Sequence, residues 1–165
     1  MVGILFLRND VDTFTLMILK QKIYAQYLQN INSSIYLLQQ TLADLKESGA
    51  NETKSTAGDK HETALAMLQI EQANTRAQLQ EALAQQAVLQ NINPTSAATK
   101  IIVGSLVKTG KGYFYISIAL GKIIVDGVTV YALSPQSPLG AKLMGVAVGG
   151  KVEVNGNVYL VEAIL

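Results

Sequence analysis

The amino-acid sequence predicts an α+β protein in two parts: an N-terminal antiparallel helical hairpin and a small C-terminal antiparallel sheet domain with one short helix. Three observations predict it. The first is a change of composition. Twelve of the 13 Gln lie between Gln21 and Gln90, whereas all three Pro and ten of the 13 Gly lie at or after Pro94. Gln, Leu and Ala favour helices, while Gly and Pro punctuate strands and turns. The second is a heptad. Tyr24, Leu28, Ile31, Ile35, Leu38, Leu42 and Leu45 follow a 4-3-4-3-4-3 spacing, which holds one apolar seam on a helix and asks for a partner helix. The third is a pair of Asx-Gly dipeptides, Asp126-Gly127 and Asn155-Gly156, each set between β-branched runs. Asx-Gly is the strongest short hairpin signal because both residues tolerate positive φ.

The elements follow in order. Residues 1–16 fit neither part well and read as an extension, or as a turn of helix or strand that packs on the C-terminal domain. The hairpin occupies residues 17–93. Its first arm starts near Met17 and its second runs from about Glu62 to Asn91. The second seam is looser: Leu65, Leu68, Leu79, Ala82, Leu83 and Leu89, interrupted by Gln72, Thr75 and Gln86. The polar segment from Ser48 to Gly58, with a Gly at each end, supplies the turn. Arms of roughly 30 residues span about 45 Å at 1.5 Å per residue. Residues 94–100 form a linker. In 101–165 the segments Ile101–Val103, Gly112–Ala119, Lys122–Val125, Val128–Leu133, Lys151–Val154 and Val158–Glu162 read as strands. Ser137 can cap a short helix that begins at Pro138 and ends at Gly145.

Composition restricts the chemistry. The 165-residue chain has 13 Lys+Arg, 12 Asp+Glu, one His and no Cys. Lack of Cys excludes a disulfide scaffold, a thiolate zinc site and a cysteine nucleophile. With His61 alone, a multi-His metal centre is not expected. A net charge of +1 offers no electrostatic drive to wrap a nucleic acid or coat an anionic membrane. No apolar run approaches the ~20 residues that span a bilayer, and Met1–Leu7 lacks the basic flank and cleavage site of a signal peptide. A cytoplasmic location is expected.

Against this background, Ser134-Pro-Gln-Ser-Pro-Leu-Gly-Ala-Lys-Leu-Met-Gly145, placed after a long hairpin, resembles the C-terminal domain of the Gre transcript-cleavage factors. Val148-Gly-Gly-Lys-Val-Glu-Val154 and Val103-Gly-Ser-Leu-Val107 extend the likeness, and Gly58-Asp-Lys-His-Glu-Thr63 is similar to the acidic motif at the tip of Gre hairpins. The resemblance covers most of residues 17–165. It implies an FKBP-like C-terminal domain and RNA polymerase as the partner, engaged through Ser134, Pro135, Ser137, Pro138, Leu139 and Gly145. It also implies that the hairpin enters the secondary channel. There Asp59 and Glu62 would reach the catalytic centre and the RNA 3′ end, and share a Mg²⁺ held jointly with the polymerase. The chain would then be an accessory factor, not an enzyme alone, with no cofactor of its own and no independent sequence-specific nucleic-acid binding.

The chemistry is consistent on first principles. A hard cation takes oxygen ligands, and two-metal phosphodiester cleavage readies a water with one ion and stabilises the leaving oxygen with the other. Other readings of the residues stay open. Asp59 and Glu62 at a helix start also fit an acidic capping box. Lys60 and His61 between them fit either phosphate contact or solvation. Tyr113, Phe114 and Tyr115 could stack on bases, but alternation along a strand favours core packing. A secondary-channel regulator that does not promote cleavage, a coiled-coil interaction module and a prolyl isomerase are the alternative functions.

Overall fold

The structure, a computed structural model, describes the backbone of residues 3–52 and 58–165 and, among these, the side chains of all but residues 3–12, Glu52 and Asp59. Helix α1 spans Gly3–Glu52 and α2 spans Gly58–Gln90. Then follow β1 (Leu106–Thr109), β2 (Gly112–Ile116), β3 (Gly121–Val125), β4 (Val128–Leu133), the short helix α3 (Pro138–Leu143), β5 (Lys151–Val154) and β6 (Asn157–Ile164). The chain is α+β. It divides into two compact units, one of Met1–Leu28 with Val88–Leu165, the other of Gln29–Ala87.

In the unit of Gln29–Ala87, α1 and α2 pack as an antiparallel pair. Ile31 and Ile35 are buried, and Leu38, Leu42 and Leu45 are half-buried, as their spacing requires. On α2 the seam is Leu65, Leu68, Gln72, Thr75, Leu79, Ala82 and Gln86, all buried or half-buried. The polar residues are therefore members of the seam and not breaks in it. Leu83, expected in the seam, is 42% exposed. The polar members are satisfied. Gln86 Nε2 donates to Asn32 Oδ1 at 2.6 Å, Gln72 Nε2 to the Leu45 carbonyl at 3.1 Å, and Thr75 Oγ1 to the Glu71 carbonyl at 2.8 Å. A buried amide without a partner costs a kcal/mol or more, about as much as a hydrogen bond returns. Polar seam residues are tolerated here because α1 supplies acceptors to the two Gln and α2 itself supplies one to Thr75.

Two boundaries differ from expectation. Helix α1 starts upstream of Met17 and continues through Gly49 to Glu52, so the turn is shorter than Ser48–Gly58. A single Gly in a helix costs only about 1 kcal/mol relative to Ala, which the packing of a 50-residue helix outweighs. Residues 53–57, in the middle of the expected turn, lie outside the described residues.

In the other unit, six strands form one sheet in the order β3-β4-β2-β1-β6-β5. Both Asx-Gly pairs make hairpin turns, with φ of 50° and 76° at Asp126 and Gly127 and 50° and 74° at Asn155 and Gly156. Both central residues at positive φ match the right-handed twist of the strands they join. The sheet is mixed, not purely antiparallel: β2 and β4 run parallel, with Tyr113 opposite Val130 and Ile116 opposite Leu133. The β3–β4 hairpin folds back so that β4 inserts between β3 and β2. Turn signals constrain only strands adjacent in sequence, so this pairing was not readable from them. Ile101–Val103 is not a strand. Ile101 is fully buried and is fixed by a loop, donating to the Val146 carbonyl and accepting from Gly145 N.

Both faces of the sheet carry buried residues. Ile101, Val107, Phe114, Ile116, Leu143 and Val161 form the core beneath α3. On the other face, Tyr115 of β2 is fully buried and stacks on Tyr27 of α1. Leu19 and Ile23 of α1 are buried as well. The Tyr113-Phe114-Tyr115 run is thus split across the sheet, as alternation along a strand requires.

Candidate functional site

The acidic motif lies at the start of α2. Gly58 opens the helix with φ of 72°, a left-handed conformation that Gly adopts without a Cβ penalty. Asp59 is the second residue of the helix, and its side chain lies outside the described residues. Glu62, the fifth residue of the helix, is exposed and His61 is half-buried. Residues three apart on a helix share a face, so the backbone puts positions 59 and 62 on one side of α2. Among the described residues there is no group of three or more His, Cys, Asp or Glu able to hold a metal ion. Two carboxylates would supply only part of the shell a hard divalent cation needs, leaving the other ligands to a partner.

The Ser-Pro segment is built as a cap. Ser137 precedes α3 with extended backbone, φ −67° and ψ 155°. Its Oγ accepts from Gly140 N at 3.1 Å and donates to the Ser134 carbonyl at 2.8 Å. Pro138 takes the first helical position, where the missing N–H is no loss. Ser134 Oγ accepts from Gln136 N at 3.1 Å and donates to Gln136 Oε1. Leu139 packs on the core of the sheet. Gly145, at φ 77°, donates its N–H to the Ile101 carbonyl at 2.8 Å. Ser134, Ser137 and Gly145 thus commit polar groups to holding α3 against the sheet. Pro138 and Gly145 are exposed, and Pro135 is half-buried.

Sequence reasoning missed the strictest requirement of this segment, Gly140. A Cβ built there would lie 2.0 Å from the Ser134 carbonyl oxygen and 2.8 Å from Ser137 Oγ. The signal available was a Gly in the middle of a short helix, a position where Gly is unfavourable unless close packing demands it.

Other polar features surround α1. Lys20 is 2% exposed and donates through Nζ to the Ser96 carbonyl at 2.5 Å. Burial pushes its ammonium below the ordinary value of 10.5. Lys22 pairs with Asp126 at 2.6 Å. Burial raises the Tyr27 hydroxyl to about 12 and raises that of Tyr115 too, with the nearby Tyr24 and Tyr27 adding to the latter. Tyr27 Oη donates to the Gly121 carbonyl at 2.8 Å. Thr13, Thr15 and Leu16 of α1, with Lys108, Tyr113 and Glu162, line a cleft of about 470 Å³. Within it Lys108 and Glu162 stand 3.7 Å apart, both well exposed. Such a pair contributes little to stability and presents no nucleophile poised by a base. On the α3 face Phe114 lies between Tyr131 and Tyr159, at 6.1 Å and 5.8 Å, and the Lys111 ammonium sits 5.5 Å from the Tyr159 ring centroid. Phe114 itself is buried.

No protein-family model matches this chain, and no curated protein matches it.

Proposed function

We propose that this chain is an accessory factor of RNA polymerase of the Gre type, with an FKBP-like C-terminal domain that docks on the enzyme. The observation that carries the reading is the combination of two elements. One is an antiparallel helix pair whose second helix begins with two acids on one side. The other is a small sheet bearing a Ser-Pro-capped helix. The Ser134–Gly145 segment supports a docking role: its inward-facing polar groups fix the shape of a loop whose Pro138 and Gly145 are exposed. No helix among the described residues is long and apolar enough to cross a membrane, and a cytoplasmic factor accords with that.

On this reading Asp59 and Glu62 complete the coordination of a Mg²⁺ that the polymerase holds loosely. Their carboxylates supply hard oxygen ligands and the negative charge that recruits the ion. The polymerase then hydrolyses backtracked RNA at its own centre, and this chain is not an enzyme by itself.

The test uses purified polymerase stalled in a backtracked complex. Asp59→Asn with Glu62→Gln keeps size and polarity but removes the charge. The double variant is expected to bind polymerase as the unaltered chain does and to lose stimulated RNA cleavage. Equal cleavage by both forms refutes the acid role. Binding by both without cleavage by either supports a non-cleaving secondary-channel regulator. Absence of binding by both refutes the polymerase reading altogether and leaves an interaction module of another kind.

A further inference from the structure

The side of the sheet that faces α3 carries charge of one sign. Cross-strand register sets Lys122 of β3 beside Tyr131 of β4, and Tyr131 beside Phe114 of β2. Phe114 and Tyr159 of β6 pack in the core beneath α3, so these four residues share that side. The acids of residues 94–165 are Asp126, Glu153 and Glu162, and none of them lies there. Asp126, in the β3–β4 turn, pairs with Lys22 of α1. Glu162 pairs with Lys108 in the cleft beside α1. Glu153 follows Val152, which packs towards α3, so alternation turns Glu153 to the other side. The net charge of +1 for the whole chain hides this separation.

The aromatic rings on that side form a row. Phe114 is buried, with Tyr131 and Tyr159 at 6.1 Å and 5.8 Å from it between ring centroids. Tyr131 is 42% exposed and Tyr159 half-buried. A lysine stands at each end of the row. Lys122 is exposed beside Tyr131. The Lys111 ammonium sits 5.5 Å from the Tyr159 centroid and donates to Asn157 Oδ1 at 2.5 Å. That bond uses one of its three N–H groups and leaves the others for a ligand.

We propose that this face binds single-stranded nucleic acid without sequence preference. Bases stack on the Tyr131 ring and against the Phe114–Tyr159 pair, and phosphates meet Lys122 and Lys111. Aromatic rings on a sheet stack two or three bases in other single-strand readers. Such stacking tolerates any sequence because every base has a π-face. Charge selects this occupant: lysines at both ends of the row, with no acid on that side, complement a phosphodiester backbone. An apolar helix laid across the row would strip water from both ammonium groups without replacing it. A duplex keeps its bases stacked on one another and offers the rings no free face.

The proposal is independent of Asp59, Glu62 and RNA polymerase, because it is measured on this chain alone. The test is fluorescence anisotropy of the full chain with short labelled strands, oligo(dT) and oligo(rU), with circular dichroism of each variant. Both strands are expected to bind, more tightly than a duplex of the same length, and less tightly as salt rises from about 50 to 200 mM. Tyr131→Ala is expected to raise the dissociation constant at least about fivefold, the low end for one stacked base. Tyr131→Phe keeps the ring and is expected to keep the affinity. Lys122→Gln is expected to weaken both strands alike and to lower the salt slope by about 0.7. Lys151 is exposed and alternates with Val152, so Lys151→Gln changes the other side of the sheet and is expected to leave binding unchanged. Should Tyr131→Ala unfold the chain, the contrast between Lys122→Gln and Lys151→Gln decides. Absence of binding to either strand at about 50 mM salt overturns the proposal. So does binding indifferent to Tyr131→Ala in a folded chain, equal loss from the two Lys variants, or equal affinity for the duplex. Binding of polyglutamate in place of the oligonucleotides overturns it in favour of an acidic peptide.

Discussion

Tyr27 of α1 and Tyr115 of β2 stack with ring centroids 6.1 Å apart and planes 10° from parallel, both essentially inaccessible to solvent. This contact joins a residue near the start of the chain to the middle of the sheet. It is reinforced by the Tyr27 hydroxyl donating to the Gly121 carbonyl. Much of what can be tested about the stability of this unit runs through it.

The first prediction concerns alkaline pH. Burial raises the Tyr27 hydroxyl from 10 to about 12, and that of Tyr115 is raised as well. The folded state therefore keeps protons that the unfolded chain releases above pH 10. Stability from these groups is fully present below pH 10 and is lost as pH climbs towards 12. Thermal unfolding followed across this window should show a falling midpoint. Tyr27→Phe should cost roughly 1 kcal/mol at neutral pH through the lost hydrogen bond and should decline less steeply. An identical alkaline slope in the variant would show that Tyr27 is not a source of the loss.

Lys20 predicts a slope of opposite sign. Its folded-state pKa lies below 10.5 because burial disfavours the charge. The unfolded chain then binds the proton more tightly, so stability rises with pH up to about 10.5 and is lower where Lys20 is charged. One hydrogen bond to Ser96 does not match the hydration that an ammonium gives up. Lys20→Met keeps the length and removes the charge. It should leave stability at pH 7 unchanged or increased, and should remove this part of the rise towards pH 10.5. A loss of more than ~2 kcal/mol at pH 7 in urea unfolding would mean that the Ser96 contact outweighs desolvation.

Gly140→Ala should be the most damaging small substitution in α3. Its Cβ would fall 2.0 Å from the Ser134 carbonyl oxygen, which the Ser137 cap holds in place. Overpacking against fixed backbone costs about 3 kcal/mol, against about 1 kcal/mol for losing the cap in Ser137→Ala. Urea unfolding of the two variants should rank them in that order, and the reverse order would show that the Ser134 turn yields easily.

What the sequence by itself determined was local. The 4-3 spacing from Tyr24 to Leu45 set which side of α1 is covered. The two Asx-Gly pairs set their hairpins, and Ser137-Pro138 set the start of α3. In each case the deciding physics lies within a few residues: helical period, positive φ at a turn, a side chain reaching the next N–H. The backbone likewise places positions 59 and 62 near the head of α2.

What tertiary structure decided was pairing between distant segments. The parallel placement of β4 beside β2 and the membership of Gln72 and Gln86 in the helix seam depend on partners far away in the chain. So does the demand for Gly at 140, which is set by a carbonyl that only the folded turn puts there. Hydrogen-bond acceptors and contact surface offered by remote residues override what propensity favours locally. That is why a polar break read along the sequence became a satisfied seam.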